Sequence, residues 1–83
     1  MTMRNVYHQN GNNIRIKLTD ILKERGYTQM RLAQETGIRP NAISQLTAGF
    51  RKQIHLEHIE KIMKHFDITD FNEILEILPE ENE

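Results

Sequence analysis

The 83 residues hold about one small domain, and with no cysteine they exclude disulfide staples and thiolate metal sites. At 37% hydrophobic and 28% charged, the composition suits a folded domain, and no apolar run approaches the about 20 residues that cross a bilayer. The formal charge of −1 hides a split: nine basic against three acidic residues from Met1 to His55, net +6, then two against nine from Leu56 onward, net −7.

Residues 1–13 are polar and Asn-rich, lack the apolar stretch of a signal peptide, and read as a flexible arm. Ile14, Ile16 and Leu18 then alternate with Arg15 and Lys17, which predicts a short extended segment near 14–17, with a helix from Ile14 as the alternative. A first helix is expected over Leu18 to Arg25, closed by Gly26. A second follows the N-cap Thr28 and ends at Gly37, with Leu32 and Ala33 inward. A third follows Arg39, with Pro40 at its first position, where a missing N–H costs nothing, and stops at Gly49. A fourth starts near His55 and carries Leu56, Ile59, Ile62, Met63 and Phe66 as its apolar stripe. A fifth begins at a capping box of Asp70 and Glu73, shows Phe71, Ile74, Leu75 and Leu78 on one face, and ends at Pro79. The expected architecture is all-α: a bundle of five short helices spanning 14–78, the second and third forming a helix-turn-helix, with an acidic tail at 79–83.

The third helix shows its chemistry on one side. A turn of about 100° per residue sets Ile43 and Leu46 inward and points Asn41, Ser44, Gln45 and Ala48 outward. That outward face is uncharged and rich in hydrogen-bonding groups. Asn and Gln can pair with adenine N6 and N7 in the major groove, whereas a plain solvated face would more often carry Lys and Glu. The net +6 of the first 55 residues agrees with an anionic partner.

The stretch from Thr28 to Gly49 resembles the Cro/CI-type (Xre-like) helix-turn-helix domains of bacterial and phage repressors. The resemblance is carried by Thr28-Gln29, Leu32-Ala33, Gly37-Ile38, Ile43, Leu46 and Gly49, continues through His55-Leu56-Glu57 and Ile59-Glu60-Lys61-Ile62, and covers about 14–78. It implies a lambda-repressor-like fold that reads double-stranded DNA. Base contacts would come from Arg39, Pro40, Asn41, Ser44 and Gln45, and phosphate contacts from Thr28, Gln29, Arg51 and Lys52. Pro40 stands where many relatives have a polar residue, so only an apolar contact is open to it. Ala48 replaces an asparagine frequent in the family. Arg4, Arg15 and Lys17 would let the arm follow the DNA backbone, as arms do in some relatives.

Other chemistry is thin. His58 and His65 stand about 10.5 Å apart along a helix and cannot share an ion; His55 and His58 lack a third ligand, so no metal or cofactor is expected. No nucleophile elbow, phosphate-binding loop or zincin motif is present, and no enzyme is expected. Met30 and Met63 read as core filler. The apolar surplus of the fifth helix (Phe71, Ile74, Leu75, Ile77 and Leu78) suggests a homodimer interface, with strand pairing through Ile14 to Ile16 as the rival contact. The function expected is a cytoplasmic, sequence-specific DNA-binding transcriptional regulator, a small repressor acting as a homodimer without a membrane anchor. The alternative is a protein-interaction module on the same fold, an antitoxin or anti-repressor partner, engaging a protein through its acidic C-terminal helix.

Overall fold

The computed structural model describes residues 13–49 and 51–79. The N-terminal arm apart from Asn13, and the tail beyond Pro79, lie outside the described residues. The elements run β1 (Ile14–Ile16), α1 (Leu18–Arg25), α2 (Gln29–Thr36), α3 (Pro40–Thr47), α4 (Leu56–His65), a 3-10 turn at Phe71–Glu73, and β2 (Leu75–Ile77).

Local signals account for the four helices. Gly26 takes a left-handed φ of 68° and closes α1, while the Tyr27 amide reaches back to the Leu22 carbonyl at 2.9 Å. The Thr28 hydroxyl accepts from the Arg31 amide at 3.0 Å and caps α2. Gly37, at φ 79°, makes the sharp turn between α2 and α3; any side chain there would meet the left-handed penalty of roughly 1–2 kcal/mol. α4 ends without a glycine: Asp67 adopts φ 60°, and the Ile68 amide bonds the Met63 carbonyl at 2.8 Å. Both are features of a Schellman-type close.

Among the described residues four helices form, not five, and the fold is not all-α. The Asp70 cap exists, with its carboxylate accepting from the Asn72 amide at 2.9 Å, but it starts only a single 3-10 turn. The residues beyond it pair antiparallel with β1 in the register Ile14–Ile77, Arg15–Glu76, Ile16–Leu75. Two forces favour the strand. An isolated helix of eight residues is marginal, and β-branched Ile74 and Ile77 lower its propensity. Pairing also sets Arg15 opposite Glu76, where the two form an ion pair of 2.9 Å. Arg15 bonds Asp20 as well, at 3.0 Å, so its guanidinium is committed within the domain. Hydrogen bonds from Asn13, Lys17 and Ile16 extend the junction: Leu78 donates to the Asn13 carbonyl, Lys17 to that of Ile74, and Ile16 to that of Gly49.

The core draws side chains from every helix, from β1 and from the C-terminal turn, and at its centre Leu18, Leu32, Ile43, Ile59, Ile62 and Ile74 are fully buried. Two stripe positions depart from expectation. Leu56 is 71% exposed because it opens α4 on the flank away from the core, and Met30, at 56%, lies on the outer face of α2. Met63 is buried as expected.

A polar cluster ties α2 to the end of α4. The Tyr27 hydroxyl donates to Glu35 Oε1 at 2.7 Å, His65 Nε2 lies 2.9 Å from the same oxygen, and Arg31 Nε donates to Oε2 at 2.9 Å. The Arg31 guanidinium also stacks 3.9 Å above the Tyr27 ring. These bonds, from Tyr27 first, then Arg31 and His65, hold the Glu35 carboxyl at about 2, below its ordinary 4.5. The folded state therefore takes up this proton less readily than the unfolded chain. The stabilisation is complete above pH 4.5 and is lost as pH falls toward about 2. Glu35→Gln is expected to flatten the fall in urea midpoint across that window. An unchanged slope would show that the cluster does not govern acid stability.

Candidate nucleic-acid interface

α2 and α3 pack against each other through the Gly37 turn, with Ile38 buried in the corner and its amide held by Thr36 Oγ1 at 3.2 Å. α3 is also tied at its far end. Its Thr47 carbonyl accepts from Thr19 Oγ1 of α1 at 3.0 Å, and Gly49 bonds β1. With Ile43 and Leu46 buried, the outward side of α3 is fixed. Asn41, Ser44, Gln45 and Ala48 are all exposed on it, as are Arg39 and Pro40 at its start. The Arg39 backbone caps the helix while its side chain makes no cap bond.

The structure gathers some predicted residues and separates others. Arg39, Asn41, Gln45 and Arg51 line one cleft of about 470 Å³ between α3, the loop after it and α4. Gln45, Arg51 and Lys52 share a second, adjoining depression. Thr28 and Gln29 stand apart at the α2 N-terminus, where amides face outward as they do at any helix start. Pro40 and Ser44 lie outside both depressions.

Four residues missed by the sequence reading share the cleft with Arg39 and Asn41: Gln53, His55, His58 and Lys61. Their signal was present but weak. His58 and Lys61 are three residues apart on α4 and so neighbour each other on its surface, with Glu57 one turn before Lys61.

The electrostatics favour an anion. Arg15, Arg31 and Lys64 are spent on Glu76, Glu35 and Glu60. Among the described residues, Arg39, Lys52 and Lys61 have no carboxylate partner, and no Asp or Glu lines either depression. No group of three or more potential metal ligands gathers among the described residues.

A family model described as a Cro/C1-type HTH DNA-binding domain matches residues 17–80. No curated protein and no solved structure matches.

Proposed function

The chain belongs to the Cro/C1-type helix-turn-helix DNA-binding domain family, and on that premise we propose that it is a sequence-specific transcriptional regulator, a small cytoplasmic repressor that acts by occupying its operator. The carrying observation is the exposed, uncharged face of α3 beside cations that lack carboxylate partners. α3 enters the major groove. Asn41, Ser44 and Gln45 read base edges, with Arg39 and Pro40 at the helix start. Thr28, Gln29, Arg51 and Lys52 hold phosphates.

The repressor works as a homodimer on paired half-sites. The support lies in the C-terminal segment, as a strand rather than a helix. β2 carries the backbone groups of Leu75 and Ile77 on its outer edge, Ile77 is 79% exposed and Phe71 58%. Leu75 and Leu78 are half-buried beside them. Ile74 belongs to the core and takes no part in the contact.

A second reading, a protein-interaction module, is favoured by an apolar groove between α4 and the segment at 68–71, lined by Leu56, Ile59, Met63, Ile68 and Phe71. Selection of bound sequences from a random duplex pool separates the two. The expected result is a two-fold-symmetric motif whose binding weakens steeply with salt. No enrichment at low salt would overturn the DNA reading in favour of the interaction module.

A further inference from the structure

Two of the exposed large apolar side chains, Leu56 and Phe71, line a single groove of about 640 Å³. α4 forms one wall and the segment at 68–71 the other, and Ile59, Met63 and Ile68, all buried, make its floor. A methionine in such a floor adapts its shape to what covers it.

The charges along the groove are of one sign once pairs are removed. Lys64, the one cation lining it, bonds Glu60 at 3.3 Å. Glu57 also lines it and has no ion-pair partner among the described residues. Lys61, one turn after Glu57, lies in the cleft with Asn41 and Gln45 instead. The second wall belongs to a stretch without a single cation: after His65 the sequence has no Lys, Arg or His. Asp67, Asp70 and Glu73, inside that wall or within two residues of it, are exposed.

These features define an occupant. An apolar floor takes apolar side chains, and an acidic rim favours Lys and Arg around them. A strand is a poor fit, because no sheet edge lines the groove and its backbone N–H and C=O groups would stay unpaired against the floor. A helix satisfies its own backbone. The span suits one too: Leu56 to Met63 covers about 10.5 Å of α4, the distance from i to i+7 on a second helix. A second copy of this domain fits badly, since a two-fold contact sets the same patch on both sides and would oppose the acidic wall to itself.

We propose that this groove docks a basic amphipathic helix of a partner protein. Its apolar face covers Leu56 and Phe71, and Glu57 with the acids from Asp67 to Glu73 draws its cations. The inference deepens the interaction reading by naming the partner's chemistry, and it does not require that DNA binding be absent. No groove residue lines either depression beside α3, so the docked helix leaves the proposed reading face open.

The test is selection from a displayed library of random helical peptides of about 15 residues, carried out on the full chain without DNA. Enriched peptides are expected to carry apolar residues at i, i+4 and i+7 flanked by Lys or Arg, and to bind less tightly as salt rises. Leu56→Glu should weaken the best of them about tenfold or more, the effect of losing an interface anchor. Glu57→Lys/Glu60→Lys should turn the selection toward acidic flanks. Met30→Ala, at an apolar side chain 56% exposed on α2, should bind as wild type does. Circular dichroism checks each fold; Leu56, Glu57 and Glu60 are all exposed. Peptides without basic flanks, or binding indifferent to Leu56→Glu, overturn the proposal. So does a dimer in sedimentation that Leu56→Glu dissociates, which assigns the groove to a second copy. No enriched peptide, the result if residues 1–12 of the chain itself fill the groove, overturns it as well. With no duplex present, the outcome stands apart from operator selection: a recovered operator without a peptide removes the groove alone.

Discussion

Ile74→Ala is expected to destabilise the domain by about 2–5 kcal/mol, the usual cost of truncating a fully buried isoleucine and leaving a cavity. For a domain of this size that lowers the melting temperature by roughly 10–30 °C, and it removes a large part of a total stability of about 5–15 kcal/mol. Ile74 is 0% exposed, and its carbonyl accepts from the Lys17 amide at 2.7 Å, so it anchors the junction between the 3-10 turn and β1. Ile77→Ala, three residues on at a side chain 79% exposed, should change monomer stability by no more than about 0.5 kcal/mol. Urea titration followed by far-ultraviolet circular dichroism measures both. Similar small effects at the two positions would contradict the strand and the buried Ile74, and would return the segment to a helix lying on the surface.

Gln45→Ala is expected to weaken binding to the selected operator by about 5- to 150-fold, the range for one lost bidentate base contact of roughly 1–3 kcal/mol. The preference at one position per half-site should relax while the salt dependence stays that of wild type, because Gln45 carries no charge. Asn41→Ala should act in the same way at a neighbouring position. Lys52→Ala should do the reverse: affinity falls on every sequence, and the salt slope drops by about 1. All three side chains are exposed and bury nothing, so the fold is expected to survive each change. Selection repeated with each variant reads the outcome. An unchanged motif with Gln45→Ala would remove α3 from base reading, even with DNA binding intact.

The helix-turn-helix was legible because its signals are local. Gly26, Thr28, Gly37 and the Arg39-Pro40 pair mark ends that depend on the backbone conformation of one or two residues. The outward face of α3 was legible too, since Ile43 and Leu46 suffice to orient a helix. The C-terminal segment misled for a physical reason. Phe71, Ile74, Leu75 and Leu78 keep helical spacing, but Leu75, Glu76 and Ile77 also alternate, and only a partner strand decides between the two. That partner lies 61 residues earlier at the Arg15–Glu76 bond. Met30 and Leu56 were misplaced because an apolar residue at a plausible spacing does not reveal whether a neighbour covers it.

The sequence by itself therefore determined the four helices among the described residues, the ends marked by Gly26, Thr28, Gly37 and Pro40, the helix-turn-helix and the uncharged outward face of α3, each of which depends on contacts within a few residues. Only the tertiary structure decided that β1 and β2 pair, that Ile74 is core while Ile77 is surface, and that His55, His58 and Lys61 share a cleft with Asn41 and Gln45. These facts depend on how α4 and the C-terminal segment dock onto the rest of the chain. Docking is settled by burial and cross-strand pairing between residues far apart in sequence, and no local pattern encodes it.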